Sequence, residues 1–351
     1  MGNTHDVEHV SAQAGLAAAV AVESHGRLGE GTKPVRARGY WEQVWLRFRR
    51  DRVAMASGLF VAFLILVAIF GGPIAATLLG HGPNDIFFAG VNQDLLPVAP
   101  WTHVADPNHP GHTTLFILGA DGTLGRDEFL RLLYGARVSL EVALLATLGT
   151  IGLGVVMGSV AGYFRGWVDT IISRIIEVTM AFPALLFIIA LAATIGDRLN
   201  NVTLGGLFGR GVFTLFLVFT VFGWFFPARV VRSQVFALRE KEFVEAARMV
   251  GSTDARIIRS HVLPHLVAPI IVLSTLSIAS FVLAEAGLSF LGLGVKLPTA
   301  SWGNLLSSAP DFYTSQPWLM VWPGLAVLLT TLAFNLLGDG LRDALDPRSA
   351  L

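Results

Sequence analysis

The hydrophobic positions of the chain form long apolar stretches that are separated by polar segments. A helix needs about 20 predominantly apolar residues to cross the hydrocarbon core of a membrane. Six stretches without a charged residue meet or approach that length: residues 54–80, 142–164, 178–196, 211–228, 266–284 and 312–338. The core of a soluble enzyme does not require so many. The pattern therefore predicts an all-α polytopic membrane protein with six transmembrane helices.

The composition agrees with a membrane protein and excludes several other classes. Charged residues make up 14% of the chain, against about 25% in soluble domains, and the mean hydropathy is +0.63. The 25 basic and 25 acidic residues give no net charge, which excludes a nucleic-acid-binding protein held by bulk positive charge. Because there is no cysteine, disulfides, thiolate-bound metals and cysteine nucleophiles are excluded.

The basic residues are concentrated in alternate connecting segments, and cytoplasmic loops carry an excess of such residues. With the N-terminus inside, nineteen of the 25 lie on the cytoplasmic side. Both termini are therefore predicted to be cytoplasmic. The predicted order is a cytoplasmic tail, a first transmembrane helix, an extracytoplasmic segment, a core of five transmembrane helices and a second tail: residues 1–52, 53–80, 81–137, 138–339 and 340–351. A cytoplasmic loop, 229–265, lies within the core.

The segment that precedes the first stretch predicts an amphipathic helix at the membrane surface. Trp41, Trp45 and Phe48 recur at spacings of four and three, and arginines crowd the end of the segment. Arginines in this position contact lipid phosphates. A plain cluster of charges flanking a transmembrane helix explains the same residues equally well.

Glycine recurs at intervals of four in the second stretch, at Gly154, Gly158 and Gly162. Small residues at this spacing let a second helix approach closely. We interpret the stripe as a packing surface and not as a ligand site.

No pattern in the sequence predicts a catalytic or metal site. None of the three lysines follows a glycine, so the chain lacks the Gly-Lys-Ser/Thr phosphate cradle, and any ATP must bind another subunit. One segment contains three histidines and an aspartate: His103, Asp106, His109 and His112. Their spacing matches no helix face and prolines interrupt them, so a loosely packed loop is the better interpretation.

The cytoplasmic loop predicts two short helices joined by a glycine. Apolar residues Phe243, Val244, Ala247 and Val250 share one face of the first helix, opposite Lys241, Glu245 and Arg248. Gly251 supplies the left-handed conformation at the end of that helix, and Ser252 or Thr253 caps a second helix over 254–261. We expect Leu263-Pro264 to end it.

An apolar face on such a helix pair predicts a partner protein with a matching groove. The alternative is that the pair lies on the membrane surface or on its own helix bundle.

The loop resembles the EAA loop of ABC-importer permeases, the element that docks on the ATPase subunit. The matching residues are Glu245-Ala246-Ala247, then Gly251, then Leu263-Pro264. His261 stands two residues before Leu263, as is usual in the peptide-transporter branch. The resemblance implies that Glu245 anchors the loop or contacts the ATPase, and that Gly251 is a hinge. An ordinary ion pair of Glu245 with Lys241 or Arg248 remains the alternative.

Further blocks resemble dipeptide and oligopeptide permeases in the same order along the chain. They occupy residues 125–127, 131–140, 289–294, 301–304 and 335–348. Together with the EAA-type loop they are distributed over residues 125–348, about two thirds of the chain. The resemblance implies the type I ABC importer permease fold in a bacterial or archaeal cytoplasmic membrane.

The resemblance also implies the partners. They are a second permease subunit in a heterodimer, two ATPase subunits that hold ATP and Mg, and an extracytoplasmic peptide-binding protein. This chain would hold no cofactor and would not be an enzyme. The implied cargo is a dipeptide or oligopeptide, with nickel chelates or glutathione as alternatives.

A secondary transporter and a polytopic membrane enzyme are the two rival classes. A secondary transporter would place a coupling acid or base at mid-membrane, whereas none of the six stretches carries a charge. A membrane enzyme would need His, Asp or Glu clustered at one membrane face, whereas the acidic residues of the inner face lie on predicted amphipathic helices. Glu285 lies roughly 28 Å along the fifth helix, so an interfacial position is expected for it. Glu177, Pro183 and the aromatic residues of 222–226 are candidates for the pathway, although helix packing explains them as well. No substrate-binding residue is assigned.

Overall fold

A computed structural model describes residues 39–107, 111–199, 201–203, 205–206 and 208–346. The predictions for most of the N-terminal tail, for His109 and for residues 347–351 lie outside the described residues. The chain divides into two compact units, residues 1–46 and 47–351.

The described residues are mostly helical. The helices in chain order are α1 Tyr40–Arg50, α2 Arg52–Leu66, α3 Gly72–Leu79, α4 Glu128–Phe164, α5 Gly166–Met180, α6 Ala184–Leu199, α7 Val212–Gly223, α8 Phe225–Leu238, α9 Glu242–Met249, α10 Asp254–Ile257, α11 Val267–Phe290, α12 Trp302–Ser308 and α13 Trp318–Leu345. Short π-helical turns at Val67–Gly71 and Ile258–Val262 and a 3-10 turn at Leu263–Leu266 join some of them. The strands are β1 Thr102–Ala105, β2 Thr113–Phe116, β3 Ala120–Asp121 and β4 Arg126–Asp127.

Four continuous helical stretches are long and apolar enough to cross a membrane. They are Arg52–Leu79, Glu128–Phe164, Asp254–Phe290 and Trp318–Leu345. The predicted stretches 178–196 and 211–228 fall instead in two bent helix pairs, α5 with α6 and α7 with α8, which turn by 86° and 42°. The described chain thus has four candidate spans, or up to six if each bent pair crosses as one.

Side-chain caps fix where the long helices begin. Asp51 lies between α1 and α2 and caps the start of α2. Its carboxylate accepts hydrogen bonds from the N–H groups of Val53 and Ala54 at 2.9 and 3.1 Å. Asp127 caps α4 in the same way. A carboxylate in this position satisfies N–H groups that have no partner within the helix.

Two small antiparallel sheets correct the all-α expectation. β1 pairs with β2, with Thr102 opposite Phe116, and β3 pairs with β4, with Ala120 opposite Asp127. His103 lies on β1, so this part of the polar segment is a hairpin and not a loosely packed loop. Buried Phe87, Val104 and Phe116 give the hairpin a small apolar core of its own.

Two of the apolar cores that pack the described helices lie against α4. The first draws on α2, α4, α11 and α13 and includes Val61, Leu140, Val282 and Phe334. The second joins α4, α7 and α11. Both cores meet on α4, which is therefore the central helix of the second unit.

The glycine stripe of α4 is confirmed as a packing surface. A Cβ atom at Gly154, Gly158 or Gly162 would lie 2.7, 2.5 or 2.7 Å from atoms of the α8 segment, among them the carbonyl oxygens of Ala228 and Arg232. Only a residue without a side chain allows this approach of the two helices.

Candidate functional site

The loop between α8 and α11, called the coupling loop below after the role that the sequence resemblance implies, contains the predicted helix–glycine–helix unit. α9 ends at Met249, and Gly251 has φ +83°, so its left-handed conformation is confirmed. The N–H of Ser252 donates to the carbonyl of Ala247 at 3.0 Å, which closes α9 with a Schellman motif. Thr253 occupies the cap position of α10, but its side chain makes no capping hydrogen bond.

The expectation that Leu263-Pro264 ends the second helix is wrong. The helical stretch runs without interruption from Asp254 to Phe290. Proline lacks an N–H and its ring crowds the preceding turn of an α-helix. Here the wider π-helical turn Ile258–Val262 precedes the proline, and a 3-10 turn contains it. The coupling loop is therefore continuous with a transmembrane helix.

A buried apolar cluster holds the coupling loop against the ends of α4 and α8. Val244, Ile257 and Val262 are fully buried, and they pack with Val231 and Val235 of α8. The rings of Phe243 and His265 stack with centroids 4.9 Å apart. The loop is thus attached to the helix bundle as a packed unit.

The part of the coupling loop around Gly251, called its tip below, is exposed. Met249 and Val250 are 80% and 86% exposed, whereas Val244, which shares the predicted apolar face with Val250, is fully buried. Ala246 and Gly251 are exposed as well, whereas Ala247 is half-buried. Apolar side chains around the glycine therefore face outward from the bundle.

The side chain of Glu245 is exposed and makes no hydrogen bond or ion pair with the residues that the structure describes. Arg248, its expected partner within the helix, lies instead over the ring of Tyr163, 5.2 Å from the centroid. The structure therefore does not support the intrahelical ion pair, and the carboxylate is open to a partner.

Tyr163, near the end of α4, is the main polar anchor of the coupling loop. Its hydroxyl donates to Oδ1 of Asp254 at 2.7 Å. Arg239 donates to its carbonyl oxygen. No local sequence pattern predicts these contacts, because the partners are far apart along the chain.

Two ion pairs fix the neighbouring helices. Arg165 donates to Glu240 at 2.6 Å, and Arg232 of α8 holds Asp169 of α5 with two bonds of 2.5 and 2.7 Å. The coupling loop, α5 and α8 are therefore linked by charge as well as by apolar packing.

A second polar cluster lies at the opposite end of α4. Asp121 is 2.8 Å from Nη2 of Arg126 and 2.6 Å from Nε of Arg131, and all three residues are buried. His81 lies 3.0 Å from Asp127. Burial lowers the pKa of His81, but its hydrogen bonds to Asp127 and to the Leu79 carbonyl outweigh this and raise it above the ordinary value.

Glu285, whose predicted depth is near the membrane interface, is enclosed by the protein. It is completely buried in the protein, and Ser139 and Ser289 each donate a hydrogen bond of 2.7 Å to its carboxylate. All of these contacts are made within the chain, which indicates a structural role.

Of the aromatic residues of 222–226, Phe222, Phe225 and Phe226 line a cavity of about 450 Å³ between the two bent helix pairs. Phe182 and Phe187 form the facing wall. Glu177 lies outside the lining and forms an ion pair with Arg174 at 2.9 Å. Among the described residues, no group of three or more His, Asp or Glu could hold a metal ion.

Two family models match the sequence. The N-terminal transmembrane domain of oligopeptide transport permease C matches residues 39–97. The inner membrane component of binding-protein-dependent transport systems matches residues 154–350, more than half of the chain. The chain belongs to this family of ABC-importer permeases. Permeases of this family span bacterial inner membranes and are not themselves enzymes.

Curated relatives define the type of permease. The dipeptide transport system permease protein DppC of Alkalihalophilus pseudofirmus is 36% identical over 88% of this permease and 90% of its own length. The glutathione transport system permease protein GsiD of Escherichia coli O6:K15:H31 is 38% identical over 90% and 93%. The permease is therefore of the dipeptide/glutathione type. An inward-facing MetNI methionine ABC transporter chain aligns with 61% of the permease and 96% of its own length, at 19% identity and a TM-score of 0.48.

Proposed function

We propose that the permease is one of two different membrane subunits of an ATP-driven importer of short peptides. An extracytoplasmic binding protein delivers the peptide, and two separate ATPase subunits bind ATP and Mg. Both termini of the permease lie in the cytoplasm, as the distribution of basic residues predicts. The relatives named for dipeptide and glutathione transport support the cargo class.

The observation that carries the coupling proposal is the combination of an exposed tip and a buried base in the coupling loop. Glu245, Ala246 and Gly251 are exposed, whereas Val244 and Ile257 are buried. The tip offers apolar and acidic side chains to a groove on an ATPase subunit.

Motion of the tip passes to the membrane helices through the base of the loop. When ATP closes the ATPase pair, the tip moves with its groove. Because Leu263 and Pro264 lie inside the continuous stretch Asp254–Phe290, displacement of the tip tilts α11. The contacts with α4 and α8 make these helices follow, and the pathway changes from inward-open to outward-open.

Glutathione is the second candidate cargo, favoured by the relative of 38% identity that is named for it. Glutathione is itself a short peptide, so both candidates need the same machinery. In systems of this design the delivering protein contributes to selectivity, and uptake must be measured with that protein present.

The first experiment is purification of the permease from mildly solubilised native membranes, with identification of the co-purifying subunits by mass spectrometry. Recovery of a second permease and of ATPase subunits would support the importer. The reconstituted complex is then tested for uptake of a labelled dipeptide, an oligopeptide, glutathione and a nickel chelate. Isolation of the permease without any ATPase in several mild detergents would contradict the proposal and favour a secondary transporter.

A further inference from the structure

An open apolar groove runs along α4 and the stretch Asp254–Phe290. Its volume is about 710 Å³. Aliphatic side chains from both helices form most of its walls: Leu148, Ile151, Val155, Leu263, Val267 and Ile270. Leu148 is 72% exposed, so this wall lacks a covering residue from the chain itself.

One end of the groove is basic. Arg259 lines the groove and also lines a second cavity of about 440 Å³, which it shares with Arg256 and Ser260. Both arginines are exposed, and neither guanidinium group forms a hydrogen bond or ion pair with the described part of the chain. Two uncompensated guanidinium groups and a hydroxyl thus lie where the apolar groove ends.

The length of the groove matches one leaflet of a membrane. The lining residues of α4 extend from Leu144 to Val155, which is about 17 Å at 1.5 Å per residue. Half of the hydrocarbon core is about 15 Å. The basic end is part of the coupling loop, on the cytoplasmic side according to the proposed function.

We propose that the groove binds one anionic phospholipid of the cytoplasmic leaflet. An acyl chain covers Leu148 and the facing aliphatic wall. The phosphate lies between Arg256 and Arg259, whose planar guanidinium groups donate paired hydrogen bonds to phosphate oxygens, and Ser260 donates a third. Only the assignment of the groove to the cytoplasmic leaflet rests on the proposed function.

Charge complementarity favours a lipid over a partner helix. A helix of a second subunit would fill the apolar groove, but it would need acidic groups at one end to pair with both arginines. An anionic phospholipid brings its negative charge and its apolar chain in the required order. Anionic lipids of the cytoplasmic leaflet attract basic residues near the membrane surface.

Gly152 provides a variant that fills the groove without changing its charge. It lines the groove, and a Cβ atom there would meet no atom within 4 Å. Gly152→Leu therefore places a side chain where the acyl chain would lie. Gly324→Leu is the matched control, because Gly324 on α13 also faces open space but lies outside the groove.

Two double substitutions test the basic end. Arg256→Gln/Arg259→Gln removes the two groove charges, and Arg229→Gln/Arg342→Gln removes two other exposed charges. Each variant of the full chain, with its co-purifying subunits, is placed in nanodiscs of phosphatidylglycerol and phosphatidylcholine. After detergent extraction and washing, the retained phospholipid per chain is measured by mass spectrometry.

We expect about one phosphatidylglycerol per chain in the parent and in both controls. Retention should fall about tenfold in Arg256→Gln/Arg259→Gln, and in Gly152→Leu it should fall toward background. Unchanged retention in Gly152→Leu would overturn the proposal, as would retention of phosphatidylcholine equal to that of phosphatidylglycerol.

A cysteine at the same position tests the other occupants of the groove. Crosslinking of Gly152→Cys to a second permease subunit would overturn the proposal and make the groove a subunit interface. Protection of that cysteine by peptide would overturn it as well and place the groove in the pathway. Because lipid is counted whether or not an ATPase co-purifies, failure here is separate from failure of the proposed function.

Discussion

The hydroxyl of Ser139 on α4 donates a 2.7 Å hydrogen bond to Oε2 of Glu285 on α11, across 146 positions of sequence. The same Ser139 oxygen accepts the backbone N–H of Trp302 at 3.2 Å. Ser289 donates to the other carboxylate oxygen and accepts the N–H of Val295 at 3.0 Å. The buried carboxylate therefore joins α4, α11 and the start of α12.

Glu285→Gln should destabilise the permease without changing its cargo. The amide nitrogen cannot accept a hydrogen bond, so one buried serine hydroxyl loses its acceptor, at a cost of about 1–3 kcal/mol. Thermal unfolding in detergent should show a lower Tm. Ser280→Ala is the control, since Ser280 is exposed and donates only to its own helix. An unchanged Tm in Glu285→Gln would exclude this structural role.

The sequence predicted the features that depend on local backbone geometry. Gly251 could be placed at a helix end because glycine adopts a positive φ without strain. The role of Gly154, Gly158 and Gly162 followed from their spacing alone. Both predictions concern glycines, whose effect does not depend on a distant side chain.

Contacts between distant segments were not predictable from the sequence. Tyr163 and Asp254 are 91 positions apart, and no local pattern pairs them. The continuity of the helix through Pro264 depends on a π-helical turn, which has no signature in apolar periodicity. Glu285 was placed by counting residues along a helix, which gives a depth but does not show what surrounds the side chain.

Tyr163→Phe should loosen the coupling loop. The change removes the hydroxyl that donates to Asp254 and leaves the ring under Arg248, so about 1 kcal/mol of loop stability is lost. Hydrogen exchange of residues 250–258 should accelerate, and peptide uptake per ATP hydrolysed should fall. Tyr134→Phe, at the other end of α4, is the matched control. Equal effects of the two substitutions would show that Tyr163 acts only through general stability.

Gly251→Val should uncouple transport from ATP hydrolysis while membrane insertion stays normal. A Cβ atom at Gly251 meets nothing within 4 Å, so the penalty comes from the positive φ alone. Left-handed backbone costs an ordinary residue roughly 1–2 kcal/mol, and asparagine tolerates it better. Gly251→Asn should therefore retain more peptide uptake than Gly251→Val. Normal uptake by Gly251→Val would contradict the hinge role.

Gly158→Ala should lower the Tm of the permease far more than Gly152→Ala. The new Cβ at Gly158 would lie 2.5 Å from the carbonyl oxygen of Ala228, whereas Gly152 has open space. The α4–α8 packing must then open, at a cost of about 1–3 kcal/mol for overpacking. Thermal unfolding of both variants, purified in the same detergent, provides the comparison. Similar Tm values would mean that the two helices separate without cost.

The pairing of His81 with Asp127 should make the segment between α3 and α4 less stable as the pH rises. The pKa of His81 lies above its ordinary value of 6.5, so the folded state holds the proton more tightly than the unfolded state. The contribution is complete below about pH 6.5 and is lost as the pH rises through the raised pKa. Hydrogen exchange of residues 79–88, corrected for its intrinsic pH dependence, should show more frequent opening at higher pH. His81→Gln should abolish this trend, and His103→Gln, which changes an exposed histidine on β1, should preserve it. Loss of the trend in His103→Gln would show that the pH dependence does not come from His81 alone and would contradict the prediction.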